Sequence, residues 1–283
     1  MPIALRIAIS GAILVRSNRM TVRQNAFAMS CYYDNGLVTS FRRILSFLAI
    51  GLACCSALLA QAGAAKAARD EREQPEVRFI SFVLDDVQKN WDKMLPAQAA
   101  TPYHHAKLVL YRDSFPSACG KAQAATGPFY CPGDEKVYLD LEFFSELKRR
   151  FGAPGEFAQA YVIAHEIGHH VQKLLGIEPR IRKLQEQNPA EAKPLSVRLE
   201  LQADCYAGIW ANSTEQRNLV NGNDIVSALR AAAAVGDDRL QRAAGRWVNP
   251  ESFTHGSSEE RVQWFRRGLA MGKISACNTF PKS

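Results

Sequence analysis

Two absences frame this chain. No internal repeat and no low-complexity tract beyond clustered alanine interrupts its 283 residues, so a packed domain is expected rather than a stacked array. From Ile44 to Ala65 there is no charged residue at all. Acid is almost as scarce before that gap: residues 1–43 carry six arginines and a single acid, Asp34, a balance of +5. The whole chain stands at +7, which leaves +2 for everything from Lys66 onward. A basic excess confined to one end of a near-neutral body is the pattern of membrane targeting. It excludes the basic face that a nucleic-acid-binding protein needs.

The uncharged stretch reads accordingly. Arg42-Arg43 precede ILSFLAIGLACCSALLA, and the small-residue run QAGAAKAA follows. Small residues stand at −3 and −1 of two cuts, after Ala62 and after Ala64, as in a secretory signal peptide. The alternative is an uncleaved anchor, because residues 44–65 are long enough to cross a bilayer and would give membrane association. Residues 1–43 are then an N-terminal extension, with Met29, or else Met20, expected as the true start. The body is expected outside the cytoplasm, in the periplasm or anchored to the inner membrane. Of seven cysteines, Cys31, Cys54 and Cys55 lie in or before the targeting segment. The four that remain allow three pairings. The expected ones are Cys119–Cys131, closing a short loop, and Cys205–Cys277, tying the C-terminal tail to the core.

Residues 66–76 read as a linker and 77–283 as one domain. Val77 to Leu95 has apolar residues at helical spacing. Lys107–Tyr111 and Lys136–Leu141 read as strands, separated by a loop rich in glycine, alanine and proline. Helices are expected over Glu142–Phe151, Gly155–Leu175, Ser196–Trp210, Asn223–Ala234 and Ser257–Met271, with Arg180–Lys193 a polar surface excursion. Two short strands followed by a run of helices make an α+β domain that is mostly helical, with a small sheet.

The chemistry lies in AYVIAHEIGHHVQ, Ala160–Gln172. His165 and His169 are four apart, so on a helix they share a face and can grip one ion. Glu166 follows the first of them and sits beside the metal, where it can take a proton from water. No other charge occurs between Glu156 and Lys173, which suits a buried helix. A zinc enzyme needs a third protein ligand. RLELQADCYAGIW supplies it: Glu200 and Asp204 are also four apart, set among apolar neighbours, and inward-facing acids need a partner. Glu200 is assigned as third ligand, and Asp204 as the acceptor of an imidazole N–H that orients a ligand ring. His170, about 100° round the helix from His169, faces away from the ion, and His104 and His105 read as loop residues. His255, just ahead of the last helix, is either a capping residue or an electrophilic helper that donates a hydrogen bond to the oxyanion. Arg261 is either a substrate clamp or a salt-bridge partner.

GPFYCPGDEKVYLDLEFFSEL, FAQAYVIAHEIGHHVQKLLGI, LSVRLELQADCYAGIWA, AVGDDRLQ and FTHGSSEERVQWFRRG resemble, in the same order, the bacterial neutral zinc metallopeptidase family, from about Phe79 to Phe280. The resemblance implies a zincin-like fold, a Zn2+ ion, and HEIGH as two ligands and a base. The Glu-x-x-Ala-Asp spacing and the Thr-His-Gly with a later arginine also resemble membrane-embedded metallopeptidases in which the glutamate is the third ligand. This chain lacks their several transmembrane helices, so an intramembrane chamber is not implied. The expectation is a zinc-dependent peptidase of the cell envelope acting on peptide or protein substrates. The rival is a non-catalytic envelope protein whose zinc serves stability or partner binding.

Overall fold

The computed structural model describes residues 74–123, 127–143 and 156–280, with the single position 61. The expected extension 1–43, the targeting segment 44–65 (position 61 apart), most of the linker 66–76, and all but the first two residues of the helix expected over Glu142–Phe151 lie outside the described residues. The described residues from 80 onward belong to one compact unit. The site described below lies wholly within residues 80–283. Among the described residues, no helix is long and apolar enough to cross a membrane.

Helix α1 spans 74–99, longer at both ends than the Val77–Leu95 expected. Ile80, Val83, Leu84, Val87, Trp91 and Leu95 are all buried, a stripe at helical spacing that turns one face to the core. Five strands follow: β1 (Lys107–Tyr111), β2 (Ser114–Ser117), β3 (Gly120–Gln123), β4 (Phe129–Cys131) and β5 (Lys136–Asp140). β5 lies between β1, to which it is parallel, and β4, to which it is antiparallel. β2 and β3 form a separate antiparallel hairpin. The segment expected as a plain loop therefore carries three short strands. Their sequences, SFPS, GKAQ and FYC, are too short and too poor in alternation to announce themselves.

Val109, Tyr111, Ala122, Cys131 and Tyr138 form one cluster, with Phe115 and Phe129 packed against it. Leu108, Leu110, Val137 and Leu139, also buried, point to the opposite face of the pleat. β1 and β5 are thus covered on two sides, which explains their nearly continuous apolar sequence.

The helical layer comprises α2 (Glu156–Leu174), α3 (Ile177–Gln187), α4 (Ala192–Gln216), α5 (Gly222–Ala234), α6 (Asp237–Ala243) and α7 (Ser258–Met271). α3 replaces most of the expected surface excursion. Its residues are polar and mostly exposed, but Ile181 is buried and holds the helix down. Pro179 and Pro194, expected to stand outside helices, lie in the first turns of α3 and α4. A first-turn N–H has no intrahelical acceptor, so proline is tolerated there. The Ser-Ser-Glu-Glu pattern caps α7: the Ser257 hydroxyl accepts from Glu260 N–H, and the Glu260 carboxylate accepts from Ser257 N–H. Cys119–Cys131 and Cys205–Cys277 are joined as disulfides, with Cα separations of 5.7 and 5.6 Å.

Candidate metal centre

Close helix crossings bring the site together. At Gly168 of α2, a side-chain carbon would stand 3.0 Å from the Ala203 carbonyl oxygen of α4. Glycine lets the two backbones meet there without either giving way, and the crossing faces the His165–His169 row with the Glu200–Asp204 row. Gly208 of α4 and Gly268 of α7 are likewise filled by each other's helix backbone, which brings Arg261 of α7 onto Asp204.

His165, His169 and Glu200 converge, each offering a donor atom within 4.8 Å of the others. His165 Nε2 is 3.2 Å from one Glu200 oxygen and His169 Nε2 is 3.4 Å from the other. A tetrahedral ion with bonds of about 2.0–2.1 Å sets its donors about 3.3 Å apart; the two imidazole–carboxylate separations are of that size, within a group that spreads to 4.8 Å.

The far side of each ring fixes which nitrogen is free. His165 Nδ1 lies 2.9 Å from Asp204 Oδ1, and His169 Nδ1 lies 2.9 Å from Gln172 Oε1. A carboxylate and an amide oxygen only accept, so both Nδ1 atoms carry hydrogen. Both Nε2 lone pairs then point at the centre, the arrangement a metal requires. Gln172 is held in turn, its amide donating to Leu199 O at 2.7 Å and to Gln202 Oε1 at 3.1 Å. Asp204 is fully buried. It accepts from Arg261 Nε at 2.7 Å and Nη2 at 3.0 Å, and from the Tyr161 hydroxyl.

Electrostatics point the same way. Burial alone would raise the Glu200 pKa, but the two histidines hold it well below the ordinary carboxylate range. Burial would lower the His165 pKa, yet the charge and hydrogen bond of Asp204, with Glu200, lift it to about 10. His169 is raised against burial by Glu200. One buried and one half-buried carboxylate facing two imidazoles thus form a pocket that draws in a cation, a proton or a metal ion, and the two compete for the same lone pairs.

Glu166 is buried beside this group, and burial raises its pKa. The charges of His165 and His169 and the nearby Tyr130 backbone work against that rise. His255 shares the same cleft of about 800 Å³ with His165, Glu166, His169 and Glu200. Its Nδ1 is 3.2 Å from Asp237 Oδ1, and that hydrogen bond outweighs burial to raise its pKa. Asp237 also accepts from the backbone N–H groups of Thr254, His255 and Gly256, which fixes the loop and the imidazole together.

Arg261 is 3% exposed and committed to Asp204, so its alternatives resolve towards the salt bridge. Cys205, a rival ligand by residue type, is taken up in its disulfide. His170 turns away from the metal group towards Tyr130 and the His104 carbonyl oxygen, and burial lowers its pKa to about 4. His104 and His105 are exposed and bonded to Glu135 and Asp92. Sequence reasoning missed Gln172, Tyr161, Asp237 and Tyr130. Gln172 and Tyr161 carry a helical signal, standing three after His169 and four before His165. Asp237 sits in Gly-Asp-Asp, which reads as a turn, and nothing around Tyr130 marks its hydroxyl as the partner of His170.

The family model described as “Putative neutral zinc metallopeptidase” matches residues 46–280. The chain is 49% identical over 212 residues to “Uncharacterized protein YpfJ” of Escherichia coli K12, a match covering 75% of this chain and 74% of that protein. It is 41% identical over 207 residues to “Uncharacterized protein Rv2575” of Mycobacterium tuberculosis H37Rv, covering 69% of this chain and 68% of that one. No solved structure matches the chain.

Proposed function

The chain belongs to the neutral zinc metallopeptidase family, and from that premise we propose that it is a zinc-dependent peptidase working outside the cytoplasm. The observation that carries the reading is the pair of imidazoles locked by Nδ1 contacts, with both Nε2 atoms and Glu200 turned to one point. Its zincin-like character rests on the same helix with a small sheet beside it. His165, His169 and Glu200 would hold the ion. Zinc supplies a Lewis acid that polarises a carbonyl and eases the ionisation of water.

The chain's own residues move the protons. Glu166 accepts one from the attacking water as oxygen bonds to the carbonyl carbon, then delivers it to the departing nitrogen as the C–N bond breaks. Its raised pKa makes it a stronger base than an ordinary carboxylate, and brings it nearer the working pH. His255, oriented and made more basic by Asp237, keeps Nε2–H available further up the pH scale, and that donor stabilises the oxyanion. Open, partly apolar walls such as Phe129, Val162 and Leu199 suit an extended peptide. The two disulfides support an oxidising location, since such bonds are rare in the cytosol.

A purely structural zinc site closes with four protein ligands. Among the described residues, the metal group numbers three, and Glu166 is a residue such a site does not need. Metal analysis of the purified protein beside Glu166→Gln and His165→Ala, with hydrolysis of a quenched peptide library, decides the matter. The expected result is about one zinc in the wild type and in Glu166→Gln, zinc lost in His165→Ala, and cleavage by the wild type alone. Full turnover by Glu166→Gln would refute the mechanism.

A further inference from the structure

The C-terminal tail reaches the metal group from behind. It leaves α7 as a single 3-10 turn, Ile274–Cys277. Two attachments fasten it: the disulfide from Cys277 to Cys205 of α4, and Arg267 Nε of α7, which donates to the Ala276 carbonyl oxygen at 2.5 Å. Both cysteines are fully buried.

A line of hydrogen bonds runs from this tail to a candidate ligand. The Gln202 amide donates to the Cys277 carbonyl oxygen at 2.9 Å. The Gln172 amide donates to Gln202 Oε1 at 3.1 Å and to the Leu199 carbonyl oxygen at 2.7 Å. Gln172 Oε1 then lies 2.9 Å from His169 Nδ1. A backbone carbonyl only accepts, so each amide has one orientation that serves all its neighbours, and His169 Nδ1 is the donor. Gln172 and Gln202 are at most 3% exposed, which leaves no water to replace a lost partner. A second tether reaches the turn just before Glu200, where the Thr279 hydroxyl donates to the Arg198 carbonyl oxygen at 2.7 Å.

We infer that Gln202 is a positioning residue for His169, and that the disulfide-fastened tail is a working part of the metal centre. The Cys277 carbonyl sets Gln202, Gln202 sets Gln172, and Gln172 keeps the His169 Nε2 lone pair aimed at the ion. His165 is oriented by Asp204 instead, so the tail acts on one imidazole of the two. This rests on His169 being a zinc ligand.

The test uses the full-length protein with Gln202→Met, Thr279→Val and His169→Ala, and with Cys119 and Cys131 both changed to serine as a control for general destabilisation. Methionine fills the space of glutamine without its hydrogen bonds. Zinc affinity is measured by competition against a chelator, and exchange of the two histidine Nδ1 protons is followed by NMR on the zinc-loaded protein. The expected result in Gln202→Met is zinc affinity weakened about tenfold or more, with the His169 proton exchanging faster and the His165 proton unchanged. Thr279→Val alters a half-buried side chain without changing its shape, and should weaken zinc in the same direction. The control variant should keep both zinc affinity and slow exchange. Wild-type zinc affinity in either Gln202→Met or Thr279→Val would overturn the inference, as would equal acceleration of both ring protons. If His169→Ala keeps its zinc, the ligand assignment fails instead, and the exchange measurement still reports whether the tail holds the His169 ring.

Discussion

Replacing Asp204 by asparagine keeps the shape of a fully buried side chain and removes its charge. Asp204 holds the His165 Nδ1–H, two guanidinium N–H groups of Arg261 and the Tyr161 hydroxyl, all donors. An amide presents two N–H groups of its own, so at least one of them would face a donor. Arg261, 3% exposed, would lose its principal counter-charge. Removing one partner of a buried ion pair costs ~3–5 kcal/mol, and at about 2–4 °C per kcal/mol for a domain of this size the Tm should fall by roughly 6–20 °C. Loss of the carboxylate that orients a ligand imidazole should weaken zinc binding about 10–100-fold. The assays are thermal unfolding and competition for zinc against a chelator of known affinity. Adding Arg261→Met to Asp204→Asn separates the two effects: Tm should partly recover while zinc affinity does not. Wild-type zinc affinity in Asp204→Asn would refute the assignment of Asp204 as the group that orients His165.

Three further outcomes follow from the same geometry. His255→Ala should lower kcat on the order of a hundredfold by removing the oxyanion donor, with zinc content unchanged; steady-state kinetics and metal analysis check it. Glu135 has its pKa drawn down to about 2 from 4.5 by hydrogen bonds from Lys173 and His104. A folded pKa below the unfolded one stabilises the protein above the unfolded value, and this contribution is lost as pH falls from about 4.5 to about 2. Urea titrations across that window should therefore show a shallower loss of stability in Glu135→Gln than in the wild type. Replacing Cys119 and Cys131 together by serine frees the loop that precedes β4 and should cost about 2–3 kcal/mol by chain entropy. Peptide cleavage should drop in that variant while zinc stays bound, because β4 lines the cleft beside Glu166 and the three candidate ligands lie on helices.

How much of this was legible in the sequence depended on whether a group's role is periodic. HEIGH and the Glu200–Asp204 pair repeat at one helical turn, and acids set among apolar neighbours must face a cation or a donor. The alanine-rich α5 and the capped α7 were readable for the same reason, within a residue or two at their ends. α3 was missed because its exposed polar residues outnumber the apolar ones that hold it, and β2 to β4 because strands of three or four residues carry no alternation to detect. Long-range contacts were the least accessible. Tyr130 lies 40 residues before His170 in the chain, and nothing in FYC marks its hydroxyl as the group that reaches that imidazole. Asp237 is similarly silent, since its partners are backbone groups of a loop near residue 255.

One chain of contacts links the site to the order in which the protein is made. His169 donates to Gln172, Gln172 to Gln202, and Gln202 to the carbonyl oxygen of Cys277, which the disulfide fastens to Cys205. The support of His169, a candidate metal ligand near the middle of the chain, is thus completed by residue 277. On a ribosome, or during stepwise passage across a membrane, the histidines emerge long before Cys277 does. A partly made chain therefore carries the candidate ligands without the backing that aims His169, and a product truncated before residue 277 would carry the motif in a site never fully set.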